Sequence, residues 1–279
     1  MNKVKNLIGS VLAVVLLLGC SKEVEDPDPT PIPNPYTKVT FEFTMNVDGA
    51  TLQKDSVQYE NALLNIYGVT NLQFLVGTFR LDSWNNPDKV YITEYHLFDL
   101  SDASTWTFTP KDTIKIDDYQ NLTLFLGFDE KRNKTGDYPD LDDKGWGWSP
   151  NRGGGYYTLK MFGNYYSNGS STVTNGYDLA IGGNIKVETA VDTTWQPNPI
   201  YASMTEGFQI PEGTKEVKIE IRMDLNKLFK NQFEIGNYNL DVYQTNIEED
   251  AVGSAILSDN LQNCFRLGSI TIDDQVVPQ

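Results

Sequence analysis

Residues 38–47 read KVTFEFTMNV, and their alternation decides the fold. Val39, Phe41, Phe43, Met45 and Val47 fall on one side, and Thr40, Glu42, Thr44 and Asn46 on the other. Successive side chains of a β-strand point to opposite faces, so an apolar period of two describes a strand buried on one face. Asp48-Gly49 closes it with a turn signal. Comparable runs recur at 71–81 (NLQFLVGTFRL), 90–100 (VYITEYHLFDL), 121–128 (NLTLFLGF), 156–162 (YYTLKMF), 217–223 (VKIEIRM) and 238–243 (YNLDVY). Each is rich in aromatic or branched residues and bounded by Gly, Asn, Asp or Pro. Helical spacing is sparse: Leu225, Leu228 and Phe229 could share one or two turns, and 255–265 reads as a second short helix. Many strands with few helices predict an all-β chain, an antiparallel β-sandwich with long loops and one or two short helices. With no fixed-period repeat and no internal break in composition, residues 36–279 read as one domain with a long insertion around 130–155.

The N-terminus has a different character. Lys3 and Lys5 precede an apolar run from Val11 to Leu18, the layout of a secretory signal peptide over 1–19. The run is far below the roughly 20 apolar residues needed to span a bilayer as a helix. It ends Leu17-Leu18-Gly19-Cys20, which resembles the bacterial lipobox, so Cys20 is expected to carry the lipid that anchors the mature chain to the membrane. The acidic SKEVED that starts at Cys20's neighbour resembles the signal that takes lipoproteins of Bacteroidetes-type bacteria to the outer face of the outer membrane. The expected location is therefore the outer membrane, at the cell surface or otherwise on its periplasmic face. Prolines 27, 29, 31, 33 and 35 make the rest of the 20–35 linker an extended polyproline stalk. With Cys20 acylated, Cys264 has no thiol partner within the chain.

Charge and residue types narrow the function. A formal net charge of -16 without clustered cations argues against nucleic acid. The single histidine, His96, lies in an alternating run, and nothing resembles Gly-x-Ser-x-Gly. Cys264 falls in the second expected helix without a catalytic neighbour. No two of the 38 acids are placed across a cleft by sequence, so the chain reads as a non-enzyme. Asp137, Asp140, Asp142 and Asp143 gather in a glycine-containing loop of the oxygen-rich kind that holds calcium, although the spacing is not that of an EF-hand and a solvated acidic loop is the simpler reading. Trp84, Trp106, Trp146, Trp148 and Trp195 lie near turns, where indoles could stack on sugars, while burial is their commoner fate.

The ordered series VTNLQFLVGTFRL (69–81), YHLFDL (95–100), NLTLFLGFD (121–129), GWGWSPNRGGGYYTLKMFG (145–163), YDLAIGG (177–183), MDLNKLF (223–229) and NCFRLG (263–268), after the Phe41 strand, resembles the MbnP-like family. That family comprises β-rich periplasmic or surface proteins related to the partner protein of methanobactin systems and to methanotroph copper-binding proteins. The resemblance implies a non-enzymatic role in copper binding or handling, with an outer-membrane protein as a further partner. It also implies a copper site built from histidines and an oxidised tryptophan, for which His96, Trp146, Trp148 and Met161 are the candidates here. Copper-binding relatives carry a histidine in the stretch matching 177–183, where this chain has Ala180, so the site is expected to be incomplete. The alternative reading is a surface glycan-binding or adhesion module, with calcium at the acidic loop. Asp55-Ser56-Val57, Asp112-Thr113-Ile114 and Asp192-Thr193-Thr194 resemble short O-glycosylation signals of the same bacterial group.

Overall fold

The structure, a computed structural model, describes residues 34–277 apart from 168, 169, 171, 173 and 232–235. The expected signal peptide, Cys20 and all of the linker before residue 34 lie outside the described residues.

Two sheets pack face to face, as the alternation predicts. The first is built on β1 (Tyr36–Val47), β7 (Glu216–Asp224) and β8 (Phe265–Ile272), with shorter strands at its margins. The second runs β5 (Thr174–Gly182), β4 (Tyr157–Tyr166), β2 (Ile66–Ser83), β3 (Asp118–Leu126) and β6 (Ile200–Met204) in that order. Short strands Val90–Ile92 and His96–Asp99 also pair with β2. Among the described strands the pairing is antiparallel except that β1 and β7 run parallel, with Phe41 beside Ile219 and Phe43 beside Ile221. Alternation reports which face a strand buries and is silent about its neighbour's direction, so this pair was invisible in the sequence.

Phe41 of β1 lies on Phe79 of β2 at 4.2 Å between centroids and 13° between planes, with Phe108 completing the stack at 5.4 Å from Phe79. Phe43 meets Phe74 edge-on at 5.6 Å. These rings join the two sheets in a dry core where each buried Phe contributes about 1.5–3 kcal/mol by removal from water.

β2 is buried on both faces. Phe74 and Val76 point into the core, and so do Phe79 and Leu81, so the alternation slips phase at Gly77-Thr78. Leu75 accordingly faces away from the core and belongs to a second apolar cluster with Leu97, Phe128, Leu141, Trp146 and Tyr156. The long segment between β3 and β4, anticipated as an insertion, folds back over this outer face.

Three local expectations are corrected. Residues 90–100 form two short strands rather than one, because Thr93 O is taken by Arg132 Nη2 (2.8 Å). Residues 238–243 form no strand; Asn239 Oδ1 accepts from Asp241 N (2.9 Å), and Asn239 O receives the amides of Val242 and Tyr243, which closes a turn. The first expected helix is α2 (Asn226–Phe229), and the second is α3 (Ala251–Leu261), started by Asp250, whose carboxylate accepts from Val252 N and Gly253 N. Cys264 follows that helix, buried, with its Sγ 3.5 Å from Asn260 O, and Phe265 already begins β8. Among the described residues no helix is long and apolar enough to cross a membrane.

Candidate functional site

The Trp-Gly-Trp stretch is built as a piece of β-bridge. Trp146 O accepts from Tyr157 N (3.0 Å), and Trp148 N donates to Gly155 O (2.8 Å), so the stretch pairs with the start of β4 across the Gly147–Tyr156 bridge. Between them the chain reverses through Gly153, Gly154 and Gly155, all with positive φ (89°, 68° and 90°), a conformation closed to most L-residues. Trp146 is 1% exposed and donates Nε1–H to Tyr157 O at 2.7 Å; Trp148 is 2% exposed and donates to Arg152 O at 2.8 Å. A side chain on Gly182 of β5 would strike the Trp148 indole at 2.3 Å, so that glycine makes the slot the ring fills. The helix α1 (Pro139–Asp143) supplies Leu141 to the same cluster, and Arg132 fastens the segment by donating to Gly77 O and Thr78 Oγ1 (2.8 and 2.9 Å).

A cation sits on the indole. Lys160 Nζ lies 4.7 Å from the Trp146 ring centroid and 3.9 Å from that of Tyr157, and donates to Gly145 O at 2.9 Å. Burial lowers the Lys160 pKa, and the two ring faces offset part of that cost. Its cross-strand partner is Ala180. Lys160 is not among the candidates its sequence suggests; its outward phase in YYTLKMF is the signal that points to it.

His96 is elsewhere. Its ring stacks between Phe43 (5.6 Å) and Phe108 (4.8 Å), and Nε2 lies 2.7 Å from Thr105 O. A carbonyl only accepts, so Nε2 carries the hydrogen. Phe98, two residues on, shares this core-facing side, whereas Leu97 belongs to the cluster of Trp146. His96 and Trp146 therefore lie on opposite faces of one sheet. Met161 is fully buried in the sandwich core on β4.

Burial pushes the His96 pKa below its ordinary 6.5, outweighing the Thr105 hydrogen bond. The sign follows: the unfolded chain takes up a proton near 6.5 that the folded chain refuses until lower pH, so this stabilisation is complete above 6.5 and is lost as pH falls through the folded value. Because His96 is the single histidine, the difference in unfolding free energy between wild type and His96→Gln should shrink on acidification below about 6.5. Denaturant titrations of both proteins between neutral pH and the onset of carboxylate titration check this; a constant difference would contradict it.

The four aspartates are not gathered. Asp137, Asp140, Asp142 and Asp143 are all exposed on or beside α1. Asp140 accepts from the Tyr95 hydroxyl, and burial together with that carboxylate raises the Tyr95 pKa. Asp142 Oδ2 accepts from Tyr156 OH at 3.3 Å. Two of the acids thus tie α1 to tyrosines of the aromatic cluster. Among the described residues no three His, Cys, Asp or Glu side chains converge as a metal site would require.

The family model of MbnP matches residues 36–248, which takes in the nine-stranded sheet, the Trp-Gly-Trp segment and, of the first sheet, β1 and β7 but not β8. The chain belongs to the MbnP family. Among solved structures, MbnP from Methylosinus trichosporium is similar at 12% identity and a TM-score of 0.47, over 70% of this chain and 78% of that one. No curated protein matches it.

The copper set implied by the resemblance to MbnP does not fit the residues present. Copper takes imidazole nitrogen and thioether sulfur within bonding distance of each other. Here His96 and Met161 are core residues and Trp146 lies across the sheet, while both indole N–H groups are committed to carbonyls. At position 180, where the resemblance leads one to expect histidine, alanine faces Lys160, whose ammonium lies over Trp146. A second cation beside that ammonium would be repelled.

Proposed function

We propose that this chain is a non-enzymatic lipoprotein of the MbnP family, displayed on the outer membrane through Cys20, that serves copper handling as a binding partner rather than as the copper holder. Membership of the MbnP family over residues 36–248 is the observation that carries the copper association. The interior position of the single imidazole, between Phe43 and Phe108, supports the partner role over the chelating one.

Cells lacking the chain test this reading against cells supplied with it again. Growth under copper limitation and cell-associated copper should change on deletion and be restored by wild type and by His96→Gln. Cys20→Ala should move the protein from the membrane fraction to the soluble one and abolish restoration. No copper phenotype on deletion, or restoration by wild type but not by His96→Gln, would refute the proposal.

A further inference from the structure

The segment from 128 to 157 covers one part of the outer face of the nine-stranded sheet, and the rest is open. Along β2 the outward row runs from Thr78, buried under Arg132 of that segment, to Arg80 and Asp82, and the same phase continues to Trp84, whose amide extends the ladder by donating to Asp118 O (2.9 Å). On β3, Phe125, Thr123 and Asn121 stand opposite Thr78, Arg80 and Asp82. On β6, Tyr201 and Ser203 stand opposite Phe125 and Thr123, and Tyr91 flanks Arg80 from the other side. Paired positions share a face, so these side chains form one strip, about 20 Å long from Thr78 to Trp84.

Rings and hydrogen-bonding groups alternate along it. Tyr201 is 46% exposed, Tyr91 49% and Trp84 70%. Between them Arg80 Nη2 donates to Asp82 Oδ2 (3.1 Å) and Thr123 Oγ1 (3.2 Å), and Asn121 Nδ2 donates to Asp82 Oδ2 (3.2 Å). Within this network Arg80 Nε and Asp82 Oδ1 are buried and lack any protein partner, although Asp82 is only 7% exposed. The two unmatched atoms are sealed beneath the strip, whereas the Arg80 side chain keeps 22% of its surface exposed, so its guanidinium is the donor within reach of a ligand hydroxyl. Beyond Tyr201 the strip runs into a cleft of about 460 Å³ lined by Phe128, Asn198 and the run Asp129-Glu130-Lys131.

The charge on the strip selects the occupant. Its ion pair is balanced, on a chain whose formal net charge is -16, so the strip suits a neutral ligand and the surrounding field repels an anionic one. We propose that this half-face binds a neutral oligosaccharide, with pyranose faces on Tyr201, Tyr91 and Trp84 and a hydroxyl accepting from the exposed edge of the Arg80 guanidinium. Aromatic side chains with a wet edge suit such amphipathic rings. The site is independent of any copper role.

The full-length chain in a non-glycosidic detergent, titrated with cello-, malto-, xylo-, manno- and chito-hexaose while tryptophan fluorescence is followed, tests it. Heparin and polygalacturonate serve as acidic controls. At least one neutral hexaose should bind saturably, and Tyr201→Ala, Trp84→Ala and Arg80→Met should each weaken it tenfold or more in calorimetry. Tyr201→Ala and Trp84→Ala change exposed rings and should leave the thermal midpoint in place; Val252→Ala, on α3, should leave binding in place. Failure of every neutral hexaose to bind, binding that survives both ring removals together, or preference for the acidic chains would overturn the proposal.

Discussion

Trp146→Ala is expected to lower the stability of the fold by about 3–5 kcal/mol, the range for emptying a buried Trp site. The indole is 1% exposed and packs in the cluster of Leu75, Leu97, Leu141, Phe128 and Tyr156. Its removal also leaves Tyr157 O without the 2.7 Å bond from Nε1 and takes away one of the two rings on which Lys160 rests. Collapse around the void is hindered because Arg132 and the pairing of Trp146 with Tyr157 fix the backbone on either side. Trp146→Phe should cost less, about 1–3 kcal/mol, since a ring remains but the carbonyl is orphaned. Guanidinium unfolding of the two variants separates the contributions. An alanine variant within about 1 kcal/mol of wild type would mean that the ring is held for something other than packing.

Phe79→Ala should be as costly, about 3–5 kcal/mol, for a different reason. Phe79 stands on β2 and stacks on Phe41 of β1 at 4.2 Å and on Phe108 at 5.4 Å, so its loss loosens the contact between the sheets rather than an outer layer. Pairs of this geometry contribute about 0.5–1.5 kcal/mol beyond area burial, so a double-mutant cycle on Phe41→Leu and Phe79→Leu should return a coupling of that size. Zero coupling would mean that the stack does not join the sheets energetically. Either alanine variant removes a large part of the roughly 5–15 kcal/mol that separates folded from unfolded domains.

The inward face of β1 was legible because it obeys a period of two, whereas β5, β6 and β8 were not among the strands read and 238–243 was read as a strand it does not form. β1 buries Val39, Phe41, Phe43, Met45 and Val47 as its letters require. Where apolar residues lie on both faces, as at Leu75 beside Phe74 and Val76, the letters show only a continuous greasy run, and the phase slip at Gly77 stays hidden. The parallel partnership of β1 and β7 pairs residues 178 positions apart, beyond any local pattern, and Thr44 Oγ1 donates across it to Glu220 Oε1.

For the site, burial was the commoner expectation for indoles near turns, and Trp146 and Trp148 are 1% and 2% exposed. That Asp140 and Asp142 are engaged by Tyr95 and Tyr156 was not readable, since those contacts depend on how the long segment returns across the sheet. His96 read as a sheet histidine from its own residues, and as a metal ligand only through the family resemblance. Its phase with Phe98 favoured the interior, and only the stack with Phe43 and Phe108 showed how completely the ring is engaged there.

The central claim is that aromatic and imidazole side chains which could do copper chemistry are spent on packing in this member of the MbnP family. Copper(I) titration against a competing chelator, with intact and peptide mass spectrometry of the same preparation, tests it most directly. The account predicts no stoichiometric uptake, unmodified Trp146 and Trp148, and no difference between wild type and His96→Ala. One equivalent of tightly held copper that disappears in His96→Ala, or an oxidised residue mapped to either tryptophan, would contradict it.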